Sequence, residues 1–78
     1  MLTTTEIHQL IAQMLPTAEI KIEDPLGDGV HLKATIISPQ FTNLNRVDRH
    51  RLVYQALGDA FSGPLHALQI ITRSPEEV

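Results

Sequence analysis

The hydrophobic period of this chain changes at a single proline, which restricts it to folds where a helix is followed at once by a strand. Before Pro16, Ile7, Leu10, Ile11, Met14 and Leu15 recur at the i, i+3, i+4, i+7, i+8 spacing of an amphipathic helix. After it, Ala18, Ile20 and Ile22 alternate with Glu19, Lys21 and Glu23, the period of two of a strand with one wet face. Thr3 and Glu6 have the S/T-x-x-E spacing of a capping box, in which each side chain satisfies an orphan N–H at the helix start. Pro16 ends the helix because the residue before a proline is pushed out of the α region.

The rest of the chain is punctuated in the same way. DPLGDG, residues 24–29, is dense in turn formers and closes a loop. HLKATIIS, residues 31–38, is β-branched and apolar enough for a second strand, antiparallel to the first, and Pro39 ends it. Asn43 or Asn45 offers an N-cap for a second helix that runs to about Phe61 and stops at Ser62-Gly63-Pro64. LHALQIIT, residues 65–72, is the third strand. The order α-β-β-α-β describes an α+β domain spanning residues 1–78, with two helices packed on a three-stranded sheet. A right-handed crossover from the second strand to the third makes that pair parallel, so the sheet is mixed.

Composition narrows the function classes. A chain of 78 residues buries roughly 60–65% of its extended surface, so every amphipathic element must contribute. There is no cysteine, hence no disulfide and no thiolate ligand from this chain, which fits a reducing, cytoplasmic setting. MLTTTEIHQL carries no basic, apolar leader pattern, and no window approaches the ~20 apolar residues of a membrane span. The net charge of −3 has the wrong sign for general phosphate-backbone binding, although Arg46, Arg49 and Arg51 form a local basic cluster.

The four histidines are the residues with ligand or near-neutral acid–base character. His8 lies off the apolar stripe of the first helix and reads as solvated. His50 falls on a wheel stripe with Val47, Val53, Tyr54, Leu57 and Phe61, which favours a half-buried packing residue over a ligand or catalytic group. His66 opens the third strand, where packing and ligation suit it equally, and His31 starts the second strand beside a glycine-containing loop. Zinc-site spacings, nucleophile motifs, paired carboxylates and phosphate-binding fingerprints are all absent from the sequence, so an enzyme is not expected.

Three pieces line up in order: TIISPQF (35–41), RVDRHRLVYQAL (46–57) and LHAL (65–68). In this the chain resembles the BolA family, whose members carry a strand ending in Ser followed closely by Phe, an Arg-His-Arg-Leu-Val helix and a His-Ala-Leu strand. Ser38, Phe41 and His50 are then the structural signature. The resemblance implies a class II KH-like fold and a monothiol glutaredoxin as partner, the pair holding a [2Fe–2S] cluster together with glutathione. It assigns one iron ligand to His66 and a second to the loop between the first two strands. Family members carry Cys or His in that loop, whereas this chain reads EDPLGDGVH; His31 is preferred to Asp28 because imidazole suits iron better than a hard carboxylate. A second departure is Thr42-Asn43 after Phe41, where relatives commonly have glycine.

The function so implied is that of a non-enzymatic adaptor in iron–sulfur trafficking or iron sensing, the chain alone being a monomer or weak homodimer. The alternative is a nucleic-acid-binding transcriptional regulator using the KH-like fold, with Arg46, Arg49 and Arg51 on phosphates. Against it stands the lack of a G-x-x-G backbone clamp.

Overall fold

The first helix, α1, runs Thr4–Met14 and begins as its sequence dictates. The Thr3 side chain accepts from Glu6 N–H and Glu6 Oε1 accepts from Thr3 N–H, both at 3.1 Å. Ile7 and Ile11 on α1, with Leu15 at its end, are buried. A computed structural model describes residues 3–28, 31–58 and 68–78.

β1 (Glu19–Glu23) and β2 (Leu32–Ile37) pair antiparallel, from Glu19 opposite Ile37 to Glu23 opposite Lys33. β2 pairs on its other side with β3 (Leu68–Arg73), in parallel, from Leu32 opposite Leu68 to Ile37 opposite Arg73. The sheet is therefore mixed, in the order β1-β2-β3. Strict alternation puts Leu32, Ala34 and Ile36 into the core, while Lys33, Thr35 and Ile37 share the opposite face. Ala34 is the small residue at the middle of the central strand.

After β2 the chain makes a 3₁₀ turn, Pro39–Phe41, capped by the buried Ser38, whose Oγ accepts from Gln40 N–H at 3.1 Å. This turn drives Phe41 into the core, where it is fully buried with the α1 and β2 side chains, Val53 and Leu57. Each such fully buried side chain contributes about 1.5–3 kcal/mol from apolar area alone. Asn43 then adopts a φ of +69°, the left-handed region that Asn tolerates better than most side chains.

The second helix, α2, is Arg46–Leu57, with Asn45 as N-cap accepting from Asp48 N–H at 2.9 Å. Two expectations for it need correction. It ends at Leu57 rather than near Phe61, because Gly58 takes a φ of +54° and its N–H closes on the Tyr54 carbonyl. Its inward stripe is also narrower than the wheel suggested: Val53 and Leu57 are buried and His50 half-buried, but Val47 and Tyr54 are 59% and 41% exposed. Val47 lies in the first turn, and the helix buries Arg49 and Leu52 more deeply than either of these two. Phe61, the Ser62-Gly63-Pro64 stop and the first residues expected in β3 lie outside the described residues.

Candidate functional site

The β1–β2 loop begins as a turn in which Gly27 N–H donates to the Asp24 carbonyl at 3.1 Å, with Gly27 at a φ of +67°. Asp28 follows, and its two carboxylate oxygens grip His31 at once. Oδ1 accepts from His31 N–H at 2.9 Å, and Oδ2 lies 2.7 Å from His31 Nδ1. An ionised carboxylate is an acceptor only, so Nδ1 must carry the proton. In the neutral tautomer so selected, Nε2 carries the lone pair, the arrangement that carboxylate partners impose on metal-ligating histidines. The His31 side chain is 60% exposed, within reach of a partner. Asp28 and His31 entered as rival loop ligands; the fold joins them in one hydrogen-bonded pair.

His66 lies outside the described residues. Among the described residues no three His, Asp or Glu side chains converge as a metal site. The donor set that the structure shows fits one imidazole ligand for a cluster whose sulfur ligands come from elsewhere.

The three arginines of α2 divide by environment. Arg51 is exposed and lies 3.6 Å from Asp48. Arg46 is exposed and has no carboxylate partner among the described residues. Arg49 corrects the expectation of a free cation. Only 13% of its side chain is exposed, and its guanidinium stands 6.0 Å from the Phe41 ring centre. Nε donates to the Leu44 carbonyl at 2.9 Å and Nη1 to Glu77 Oε1 at 2.6 Å. Arg49 is therefore occupied in fastening the Phe41 turn to the C-terminal segment. His50, half-buried, meets Tyr54 edge-on with ring centres 6.2 Å apart, and lines a cleft against β3.

Glu77 and Ser74 were missed, although their S-x-x-E spacing repeats the signal read at Thr3 and Glu6. Pro75–Glu77 forms a 3₁₀ turn, and Glu77 Oε1 accepts from Ser74 N–H at 2.7 Å as well as from Arg49. Those bonds, the Ser74 N–H first and Arg49 next, lower the Glu77 pKa from 4.5 to about 2. Glu76 is lowered too, by its own backbone N–H and by the Ser74 and Thr42 hydroxyls. Because the folded-state pKa of Glu77 is depressed, its stabilisation is fully present above pH 4.5 and fades as pH falls towards 2. Glu77→Gln should accordingly lower the urea midpoint at pH 7 and close the gap to wild type as the pH drops through that window. A gap independent of pH would contradict the clasp.

The basic helix, the Ser-capped Phe turn and the mixed sheet all lie within a stretch that matches a known family model: residues 16–77 fit that of the BolA-like proteins. The chain belongs to the BolA-like family. It is 53% identical over 55 residues to the UV-induced protein uvi31 of Schizosaccharomyces pombe, covering 69% of this chain and 54% of that one. It is 43% identical over 53 residues to the DNA-binding transcriptional regulator BolA of Vibrio cholerae, covering 68% of this chain and 50% of the relative. This BolA-like chain thus spans about half the length of these curated relatives. Among solved structures, a BolA homologue from Coxiella burnetii superposes with a TM-score of 0.79 at 38% identity, covering 99% of this chain and 96% of the other. The BolA domain of SufE1 from Arabidopsis thaliana gives 0.81 at 34% identity, with both chains fully covered. BolA-like relatives carry regulator or family names rather than names of reactions. Among the described residues no helix is long and apolar enough to cross a membrane.

Proposed function

We propose that this BolA-like chain is a non-enzymatic adaptor that pairs with a monothiol glutaredoxin and lends imidazole ligands, His66 and His31, to a shared [2Fe–2S] cluster in iron–sulfur trafficking or iron sensing. The observation that carries this reading is the Asp28–His31 pair, a carboxylate-oriented imidazole on an exposed loop end. Asp28 is on this reading the positioning residue, and His31 the donor. The glutaredoxin cysteine and a glutathione thiol supply the remaining ligands, which suits a chain with no cysteine. Histidine on one iron raises the reduction potential over an all-thiolate cluster. Alone, the chain is a monomer or weak homodimer.

The test is anaerobic reconstitution of the two proteins with glutathione, iron and sulfide. The wild-type mixture should give a visible spectrum distinct from that of the glutaredoxin homodimer. His66→Ala should return it to the homodimer spectrum, and His31→Ala should speed cluster loss to a chelator. If neither variant changes spectrum or loss rate, the ligand assignment is wrong.

A second reading, DNA binding, is supported by the name of the Vibrio cholerae relative. With Arg49 committed to Glu77, Arg46 and Arg51 are the α2 arginines left for phosphates. Affinity should then fall with salt at a log–log slope of roughly −0.9 per phosphate contact. A flat response to salt removes this reading.

A further inference from the structure

A shallow groove separates the N-terminal half of α2 from β3. It consists of two hollows of about 260 and 240 Å³ that share Arg46, Thr72 and Arg73. The two hollows differ in what fills them. One has Arg49 in its wall and already holds a carboxylate, Glu77, seated on Arg49 Nη1 and Ser74 N–H. The other is lined by His50, by the half-buried Ile70 on the helix-facing side of β3 and by its neighbour Ile71, and no acidic residue lines it.

At that second hollow the charge is unbalanced. Arg46 and Arg73 are both exposed and neither meets a carboxylate among the described residues; Arg73 Nη1 rests on the carbonyl of its neighbour Thr72 at 3.0 Å. β3 is also an outer strand of the sheet, so its far edge faces no strand among the described residues. An unpaired strand edge is a template for extended backbone.

We propose that this groove binds an extended segment of a partner protein in which acidic and aliphatic residues alternate. Its carboxylates pair with Arg46 and Arg73, and an aliphatic side chain lies on Ile70. The seated Glu77 is the internal precedent, a carboxylate held by arginine and a backbone N–H within the same groove. Nucleic acid fits less well. Glu77 borders the groove, and the chain as a whole carries a charge of −3; both weigh more against a polyphosphate, charged at every nucleotide, than against a segment in which charged and apolar residues alternate.

The test is titration of the ¹⁵N-labelled full chain, followed by amide shifts, with three probes. These are an acetylated, amidated Glu-Leu-Glu-Leu-Glu peptide, its Gln-Leu-Gln-Leu-Gln counterpart and a short DNA duplex. The acidic peptide should shift the amides of residues 46, 50 and 70–73, and bind about tenfold or more tightly than the neutral one. The Arg46→Ala/Arg73→Ala variant, altered at two exposed positions, should keep the remaining spectrum and lose about tenfold in affinity for the acidic peptide. Absence of binding, equal affinity for the neutral peptide, shifts centred elsewhere, or tighter binding of the duplex at these residues would each overturn the proposal.

Discussion

Phe41→Ala is expected to bring this protein to the edge of unfolding at room temperature. The ring is fully buried and joins both helices to the sheet through one 3₁₀ turn. Truncating a buried Phe costs about 3–5 kcal/mol, from lost transfer energy and from the cavity left behind. A domain of this size has roughly 4–12 kcal/mol of stability in all. The loss here falls at the upper end, because the same ring also supports the Arg49 guanidinium. Urea unfolding followed by far-ultraviolet circular dichroism should show the midpoint falling by about 2 M or more, given the shallow denaturant slopes of small domains. A fall below about 0.5 M would mean that the turn does not close the core.

Arg49→Ala should be the second most damaging change, at a position where an arginine would ordinarily be dismissed as surface. Its Nε bond to the Leu44 carbonyl is charge-assisted and partly buried, a type of interaction that contributes about 1.5–3 kcal/mol. At roughly 4–8 °C per kcal/mol for a domain of this length, Tm should drop by on the order of 10 °C. Arg49→Lys should recover little of it. A single ammonium cannot replace a planar fork that bonds a carbonyl and a carboxylate through separate nitrogens while lying over the Phe41 ring. Combined with Glu77→Gln, the two losses should not add, since each variant already breaks the shared contact. Full recovery by lysine, or simple additivity, would contradict the clasp.

Where local physics decides, the fold was open to reading from the residues. The Thr3–Glu6 box, the stop at Pro16 and the alternation through Ile36 depend on near neighbours, and each element formed where its pattern put it. The face of α2 was legible only in part. Its stripe was drawn from hydrophobicity, and Val47 and Tyr54 were apolar enough to be drawn in. The face that α2 buries includes Arg49, whose guanidinium lies over a ring eight residues earlier and is met by a carboxylate 28 residues later. No periodicity encodes those partners. The same holds for the loop: the family resemblance offered Asp28 and His31 as alternatives, and their mutual bond depends on a turn that the residue list does not specify. His66 keeps the role that family resemblance gives it and no more.

The central position of β2 has a consequence for the order in which the molecule is assembled. Its antiparallel neighbour is reached through the short stretch 24–31, whereas its parallel neighbour lies beyond residues 38–67. Closing the second span costs roughly 1 kcal/mol more in chain entropy, about two doublings of loop length. The hairpin that sets Asp28 against His31 can thus form from contacts close in sequence, while β3 reaches β2 only across the long crossover. The β1–β2 loop and the parallel strand pair are therefore brought into place by different folding events, one local and the other remote.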